Sequence, residues 1–399
     1  MLTRRNLLKR SSLLALAPTV PAFLARLARA SEAKADDRVL VVIQLDGGND
    51  GINTVVPYRD EGYTKHRDRL RLPVERLHKL DDQAALHPSM RTMADLFQQQ
   101  RLAIVQAVGY PNPSRSHDVS MSIWHTARLD PVEPKGYGWL GRALDWLPPR
   151  PGVPSAMLVG EGPLPAAVIG RQSIAGTFSK VEELAIQNES VRAALAPNSP
   201  GDDLEAFVRR ATLDAYTTAD EVTSAAARKN GNASYATSQL GQHLALVARL
   251  IEAGLPTRVY YAVQRGYDTH AAQMDTHSRL LGELSGALGG FLNDLKEAGV
   301  DDRVLVMVFS EFGRRVAENA SAGTDHGTAA PMFLAGHGLK PGLIGTASSL
   351  LDLDDGDLKM TVDFRRVYAT VLKNWLAVDP AVVFDGRFEE LPMLNERNS

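Results

Sequence analysis

The chain has 399 residues, enough for one large domain or for two to three domains of roughly 150 residues each. Hydrophobic residues make up 44% and charged residues 23% of it, which is ordinary globular usage and argues against a disordered or fibrous protein. The net charge of −3 gives no basic footprint for nucleic acid. Cysteine is absent, so disulfides, thiolate nucleophiles, iron–sulfur clusters and cysteine-based zinc sites are excluded, and any metal must be bound by oxygen and imidazole.

Residues 1–30 have the pattern of an export signal. The paired arginines Arg4 and Arg5 precede an apolar stretch over residues 13–27, and residues 28–30 read Ala-Arg-Ala, a small-residue cleavage pattern. Such segments are typical of secretory signals, and the paired arginines indicate the twin-arginine route. We predict a periplasmic or extracellular protein that is exported by the twin-arginine machinery and starts near Ser31, with an uncleaved anchor as the alternative. No later segment is apolar and long enough to predict a stable membrane span.

Five apolar runs rich in β-branched residues predict buried strands. They cover residues 38–45, 102–108, 258–263, 303–309 and 330–335. Helical patterns lie between them at residues 88–100 and 276–298, and residues 362–375 predict a C-terminal amphipathic helix. Strands that alternate with helices predict an α/β fold with a mostly parallel sheet flanked by helices.

The middle of the chain differs in composition. Residues 148–171 are rich in proline and glycine and predict a loop, whereas residues 202–254 have a helical pattern. We interpret residues 148–254 as a loop and helical insertion in a single α/β domain of residues 31–399. Because no period of 20–50 residues recurs, a repeat architecture is not expected.

Polar side chains adjoin the ends of the predicted strands. In open α/β sheets, ligands bind beyond the carboxyl ends of the strands, so these side chains are candidates for one site. They are Asp46 after the first run, Ser116 and His117 beyond the second, Asp268 and His270 after the third, Glu311 after the fourth, and Asp325 and His326 before the fifth.

Each candidate also has a structural interpretation. Asp46 could cap its turn, Ser116 could cap a helix, and Glu311 could pair with the arginines that follow it. The adjacent Asp325 and His326 in a glycine-flanked turn are the stronger signal. If every candidate had only a structural role, several unrelated caps and ion pairs would have to lie at the same edge of the sheet. One shared site is the simpler explanation, and we therefore predict a site there.

Carboxylate and imidazole groups together can hold one or two divalent ions. Mixed oxygen and nitrogen ligands suit zinc, manganese or iron better than calcium. His277, seven residues beyond His270, is either a further ligand or an exposed helical histidine. We interpret it as the latter.

The order of the motifs resembles a known family. The motifs are Leu45-Asp46-Gly47-Gly48-Asn49-Asp50, Arg115-Ser116-His117, Tyr267-Asp268-Thr269-His270, Ser310-Glu311-Phe312-Gly313-Arg314 and Thr324-Asp325-His326-Gly327. Over essentially the whole mature chain they resemble the twin-arginine-exported domain-of-unknown-function 1501 family. That family is distantly similar to the alkaline phosphatase and sulfatase superfamily, whose members use two metal ions and a serine, threonine or formylglycine nucleophile.

The resemblance implies an alkaline-phosphatase-like fold and a role for each motif. It implies Ser116 as the nucleophile, with Ser114 as a rival. Arg115 and His117 complete the candidate catalytic group, and Arg115 or Arg314 could steady an anionic transition state. The metal ligands that it implies are Asp46, Asp268, His270, Glu311, Asp325 and His326.

The sequence departs from the superfamily pattern at Phe312, which stands where a metal ligand is usual after the fourth strand. We predict an exported metal-dependent hydrolase that acts on an anionic phosphate or sulfate ester. Its cofactor would be a divalent metal, zinc first, with manganese, iron, magnesium or calcium as alternatives, and nucleic acid is not an expected partner. The alternative, favoured by Phe312, is a catalytically degenerate scaffold that acts as an exported binding or assembly protein.

Overall fold

The computed structural model of the protein describes residues 37–130, 136–148, 154–178, 235 and 237–395. The predicted signal segment and residues 202–234 of the predicted insertion lie outside these residues. Among the described helices, none has the length and apolar character needed to cross a membrane.

The described strands and helices follow in chain order. The strands are β1 (Val39–Asp46), β2 (Val55–Val56), β3 (His78–Lys79), β4 (Ala85–Leu86), β5 (Leu102–Gly109), β6 (Ala156–Val159), β7 (Ala175–Phe178), β8 (Val259–Arg265), β9 (Val304–Ser310), β10 (Ala330–Gly336), β11 (Gly342–Ile344), β12 (Leu353–Asp354), β13 (Asp357–Leu358) and β14 (Val362–Asp363). The α-helices are α1 (Gly51–Thr54), α2 (Glu61–His66), α3 (Arg91–Gln98), α4 (His117–Thr126), α5 (Trp139–Trp146), α6 (Gln239–Glu252), α7 (Gln273–Glu297) and α8 (Phe364–Thr370). A π-helix, Val371–Leu376, continues α8.

One sheet forms the centre of the fold. Its strands lie in the order β11-β5-β10-β9-β1-β8-β6-β7, and β14 also pairs with β5. All neighbouring strands are parallel except β10, which is antiparallel to both β5 and β9. The predicted mostly parallel sheet is therefore confirmed, and the five predicted strands are β1, β5, β8, β9 and β10.

The central strand β1 is buried on both faces, because its side chains alternate between two separate cores. Val39, Val41 and Ile43 pack in the core that contains residues of α3, α6 and α7. Leu40 and Val42 pack in the core that contains residues of α4, α5 and α8. Helices thus cover both faces of the sheet, as the continuous apolar runs predicted.

The prediction of a loop over residues 148–171 is wrong at β6. This strand lies in the sheet between β8 and β7, and all four of its residues are buried. It is too short to stand out from the proline and glycine around it, and Gly160, with φ of +137°, ends it in a turn. The predicted helical stretch over residues 202–254 is confirmed at α6, and its first part lies outside the described residues.

Candidate metal centre

Sheet topology brings the predicted site loops to one edge. β1, β8 and β9 are mutually parallel, and β5 and β9 are both antiparallel to β10, so four strands have their carboxyl ends at this edge. The reversed strand β10 begins at the same edge. This reversal explains why the loop before β10, rather than the loop after it, joins the site.

Three side chains form a donor triangle, defined here as Asp268 Oδ1, His270 Nε2 and His326 Nε2. Asp268 Oδ1 lies 3.0 Å from each of the two Nε2 atoms, and the two Nε2 atoms lie 3.0 Å from each other. His117 Nε2 lies 3.6 Å from the second oxygen of Asp268. His117, Asp268 and His326 each offer a ligand atom within 4.8 Å of the other two. The loops after β5 and β8 and the loop before β10 therefore meet at Asp268.

The outer ring nitrogen of each of these histidines contacts a hydrogen-bond acceptor. The pairs are His117 Nδ1 with Glu311 Oε1 at 2.9 Å, His270 Nδ1 with Asp325 Oδ1 at 3.2 Å, and His326 Nδ1 with the Arg115 carbonyl oxygen at 2.8 Å. Because carboxylate and carbonyl oxygens only accept, this network assigns the proton to each Nδ1. In a neutral imidazole the other nitrogen, Nε2, is then an acceptor that faces Asp268.

The donor set fits a divalent cation. With neutral imidazoles, all three atoms of the donor triangle are acceptors that face one another, and a cation between them satisfies all three lone pairs. Their 3.0 Å separations are close to the roughly 3.3 Å between ligand atoms that follows from bonds of about 2.0–2.1 Å in a tetrahedral site. Imidazole nitrogens with one carboxylate suit zinc or another transition metal better than magnesium or calcium.

Arg314 fixes the position of Asp268. Its fully buried side chain donates to Asp268 Oδ1 at 2.7 Å and to carbonyl oxygens in the loops that follow β1 and β8 and precede β10. Burial opposes ionisation, but the hydrogen bond and the positive charge of Arg314 lower the pKa of Asp268 to about 2. Asp268 is therefore ionised at neutral pH, and the donors of Arg314 are engaged within the protein.

Glu311 is the most deeply buried of the predicted metal ligands, with 1% of its surface exposed. It accepts hydrogen bonds from the Gly47 backbone N–H at 2.9 Å, the Ser310 hydroxyl at 3.0 Å and His117. The hydrogen bond to Glu311 raises the pKa of His117, although burial opposes the shift. Glu311 thus contacts the site through the ring of His117.

Phe312 packs against the histidines. Its ring centre lies 5.0 Å from that of His117 and 4.8 Å from that of His326. A Cβ on Gly48, where φ is +77°, would lie 2.3 Å from the Phe312 ring, and a Cβ on Gly47 would lie 2.4 Å from the backbone nitrogen of Asp268. The glycine pair after β1 therefore allows both the aromatic ring and the loop that carries Asp268 to approach.

Asp46 lies near Glu311 and His117, but its hydrogen bond is to a different residue. Its half-buried side chain accepts from Gln44 Nε2 at 3.0 Å and lies 3.9 Å from Arg265 Nε. Burial and the neighbouring charge of Glu311 raise the pKa of Asp46. Within the described residues, no hydrogen bond joins Asp46 to the donor triangle.

Ser116 is exposed and immediately precedes α4, but its side chain does not cap the helix. Its backbone N–H donates to Ser114 Oγ at 3.2 Å. The side chain of Arg115, the residue before Ser116, forms ion pairs with Asp355 and Asp357. The carbonyl oxygen of Arg115 contacts Nδ1 of His326.

Sequence reasoning missed a buried polar network behind the site. Asp50 and Arg67 form an ion pair at 2.6 Å with both side chains fully buried. Despite burial, Arg67 lowers the pKa of Asp50 to about 2. Gln273 donates to Asp50 and accepts from Thr269, which lies between Asp268 and His270, and from Thr324, which lies two residues before His326. Asp50 stands in the glycine-rich motif, but Arg67 lies in a polar stretch that gave no signal.

The prediction of His277 as an exposed helical residue is wrong. His277 is 2% exposed and its Nε2 donates to Asn49 Oδ1 at 2.9 Å. On α7 it precedes Leu280, Leu281 and Leu284 by three, four and seven residues, so it lies on the buried stripe of the helix. That spacing was the signal in the sequence.

A cavity of about 860 Å³ adjoins the site. Its wall includes Arg115, Thr328 and the hairpin of β12 and β13, together with apolar groups such as Pro111 and Met360. Arg115 therefore contacts His326 through its backbone carbonyl and is also part of the wall of the cavity.

The fold and the site together define the class: this is an α/β protein with a mostly parallel sheet and a cluster of carboxylate and imidazole groups at the carboxyl ends of its strands. The chain belongs to the family described as "Protein of unknown function (DUF1501)", whose model matches residues 37–391. The family resemblance carried by the motifs is thereby confirmed. No curated protein matches the sequence.

Several solved structures resemble the chain in fold. The lipoteichoic acid synthase LtaP from Listeria monocytogenes is 11% identical with a TM-score of 0.39, over 82% of this chain and 75% of that one. The sulfatase PsFucS1 from Pseudoalteromonas sp. is 12% identical with a TM-score of 0.37, over 90% and 71%. A protein in the alkaline phosphatase superfamily from Vibrio parahaemolyticus is 10% identical with a TM-score of 0.36, over 77% and 62%. At this level the similarity concerns the fold and not the chemistry.

Proposed function

We propose that this protein is a metal-dependent hydrolase of phosphate or sulfate esters. The observation that carries the proposal is the donor triangle, in which three acceptor atoms lie 3.0 Å apart. Asp268, His270 and His326 would hold a divalent metal, with His117 beside them. When bound, such a metal would act as a Lewis acid toward an oxygen of the ester and toward the attacking hydroxyl group. Zinc is the first choice, followed by manganese and iron, because imidazole dominates the donor set.

Ser116 is the proposed nucleophile. It is exposed, and its side chain does not cap α4. Both of its sequence neighbours contact His326: the ring centre of His117 lies 4.4 Å from that of His326, and the carbonyl oxygen of Arg115 lies 2.8 Å from His326 Nδ1. The amino end of α4 favours negative charge on an oxygen beside it. Ser114 is the weaker candidate, because its Oγ already accepts from the Ser116 backbone N–H. The cavity beside Arg115 would receive the organic part of the ester.

Metal content and ester turnover, measured together, test this proposal. The purified protein is saturated with zinc, dialysed, and assayed with 4-nitrophenyl phosphate and 4-nitrophenyl sulfate. We expect bound zinc and turnover of one of these esters in the wild type, loss of both in Asp268→Ala, and loss of turnover alone in Ser116→Ala. His337→Ala is the matched control, because His337 is exposed just beyond β10, at the opposite edge of the sheet. Folded wild-type protein that binds no divalent metal would overturn the proposal.

The second candidate function is an exported binding or assembly protein on the same scaffold. Phe312 favours it, because its ring packs on two of the histidines at the position where the resemblance places another ligand. Stoichiometric metal without turnover of either ester supports this candidate over the hydrolase.

Export by the twin-arginine route, to the periplasm or beyond, is part of the proposal, with residues 31–399 as one mature domain. It rests on the paired arginines and the apolar segment of residues 1–30. Replacing Arg4 and Arg5 together by lysine is expected to keep the precursor in the cytoplasm, as followed by cell fractionation. Unchanged export of this variant would exclude the route.

A further inference from the structure

We infer that Glu311 and Asp325 are positioning residues of a single-metal centre whose ligands are His117, Asp268, His270 and His326. The family resemblance implies a ligand role for both of these carboxylates, whereas the geometry points to an indirect one. The inference rests on the proposed metal site, but it does not depend on which ester is hydrolysed or on whether any is.

The hydrogen bonds of Glu311 lead away from the donor triangle. Its Oε1 accepts from the Gly47 N–H and from His117 Nδ1, both at 2.9 Å, and its Oε2 shares the hydroxyl proton of Ser310 with the Leu45 carbonyl oxygen. It is also buried, so these contacts are not exchanged for water. Because Nδ1 and Nε2 point away from each other on an imidazole ring, the bond to Glu311 directs Nε2 of His117 toward Asp268.

Asp325 orients His270 in the same way. Its Oδ1 accepts from His270 Nδ1 at 3.2 Å and from Asn319 Nδ2 at 3.1 Å. Asn319 Nδ2 also donates to the His270 carbonyl oxygen at 2.9 Å, while Asn319 Oδ1 accepts from the backbone N–H groups of Ser321 and Gly323. The amide of Asn319 thus holds both partners, and Asp325 lies on the side of the ring opposite to the donor triangle.

These contacts define a centre with three imidazoles and one carboxylate. A hydrogen-bond acceptor on the outer nitrogen of a ligating histidine fixes the tautomer and the ring plane, and its loss typically costs about 10- to 100-fold in metal affinity. Loss of a ligand instead changes the coordination itself. Affinity and coordination therefore distinguish a positioning residue from a ligand.

Cobalt(II) and zinc(II), added to the full-length protein, test the inference. Zinc affinity is measured by competition with a chelator, and coordination by the visible absorption of the cobalt-saturated protein. For Glu311→Ala and Asp325→Ala we expect affinities weaker by about 10- to 100-fold but one metal per chain at saturation and an unchanged cobalt spectrum. Glu311→Gln retains an acceptor for His117 and is expected to restore most of the affinity. His117→Ala is expected to change the cobalt spectrum.

Controls keep the test independent of folding. Asp325 is exposed, so its alanine variant does not disturb the core, and Asp355→Ala removes a nearby carboxylate that pairs with Arg115 instead. A changed cobalt spectrum in Asp325→Ala or Glu311→Gln would overturn the inference, and so would an unchanged zinc affinity in Asp325→Ala. Either result leaves the proposed hydrolase standing if the wild type binds metal and turns over ester.

Discussion

Asp50 and Arg67 show how single residues stabilise the loops around the candidate site. Their buried ion pair is joined by Gln273, which also contacts the loop between Asp268 and His270. A buried charge without its partner is far more costly than a broken pair at the surface. The pair therefore connects the motif after β1 with the loop that carries two of the proposed ligands.

Asp50→Asn is expected to lower the free energy of unfolding by about 3–5 kcal/mol, because it leaves the Arg67 guanidinium buried and unpaired. Urea denaturation measures the change. The matched control is Asp95→Asn, which breaks the exposed pair with Arg91 and is expected to cost about 0–1 kcal/mol. Equal, small losses in both variants would show that the buried pair does not stabilise the fold.

Gly48→Ala is expected to destabilise the protein by about 1–3 kcal/mol more than Gly299→Ala. Both glycines have positive φ, but an added Cβ at Gly48 would meet the Phe312 ring at 2.3 Å, whereas one at Gly299 would meet nothing within 4 Å. The comparison separates the close approach from the backbone strain that both variants share. Urea denaturation that gives the same loss for both would contradict the packing described for Phe312.

Helix α7 positions the site although it carries no proposed ligand. Gln273, its first residue, contacts Asp50, and His277, one turn later, donates to Asn49. Both partners belong to the glycine-rich motif after β1. The amino end of this helix therefore fixes the loop on which Phe312 and the backbone of Asp268 pack.

The buried imidazole of His277, on α7, makes the free energy of unfolding depend on pH. Burial lowers the pKa of His277 to about 4, below the value of about 6.5 for an unfolded chain. The unfolded state therefore binds more protons between pH 6.5 and 4, and the stability due to the neutral imidazole is present above pH 6.5 and lost as the pH falls through this window. We expect His277→Gln to reduce the slope of unfolding free energy against pH by about one proton there.

Urea denaturation at a series of pH values measures this slope. His337→Gln, at an exposed position, is the control and is expected to leave the slope unchanged. A slope in His277→Gln that equals that of the wild type would show that the imidazole is not buried in its neutral form.

At the scale of the whole molecule, sequence patterns predicted the sheet better than the site. The strands β1, β5, β8 and β9 are runs of seven or eight mostly buried residues, and such runs are visible without a structure. The antiparallel direction of β10 was not predictable, because an apolar run has the same pattern in a parallel and in an antiparallel strand. β6 was missed because its four residues carry too short a pattern.

The candidate site was predictable as a set of loops but not as a geometry. Strand ends identified the loops that carry Asp268, His270 and His326. Whether a carboxylate binds a metal or a histidine depends on which ring nitrogen it faces, and this is decided by side-chain orientation in three dimensions. Glu311 and Asp325 illustrate the point, because their hydrogen bonds lead to the outer nitrogens of two histidines.

Metal binding is expected to stabilise the whole fold, because the donor triangle joins loops that are far apart along the chain. A free zinc concentration 100 times the dissociation constant should raise the unfolding free energy by about 2.7 kcal/mol. Urea denaturation with and without zinc measures the gain, and His326→Ala is expected to show none. An equal gain in that variant would place the stabilising zinc elsewhere.

The most direct test of the central claim is an anomalous difference map, recorded at the zinc absorption edge from crystals of the zinc-saturated protein. We expect a single strong peak within about 2.0–2.2 Å of Asp268 Oδ1, His270 Nε2 and His326 Nε2. A peak at another place, or a folded protein at saturating zinc with no peak among these atoms, would contradict it.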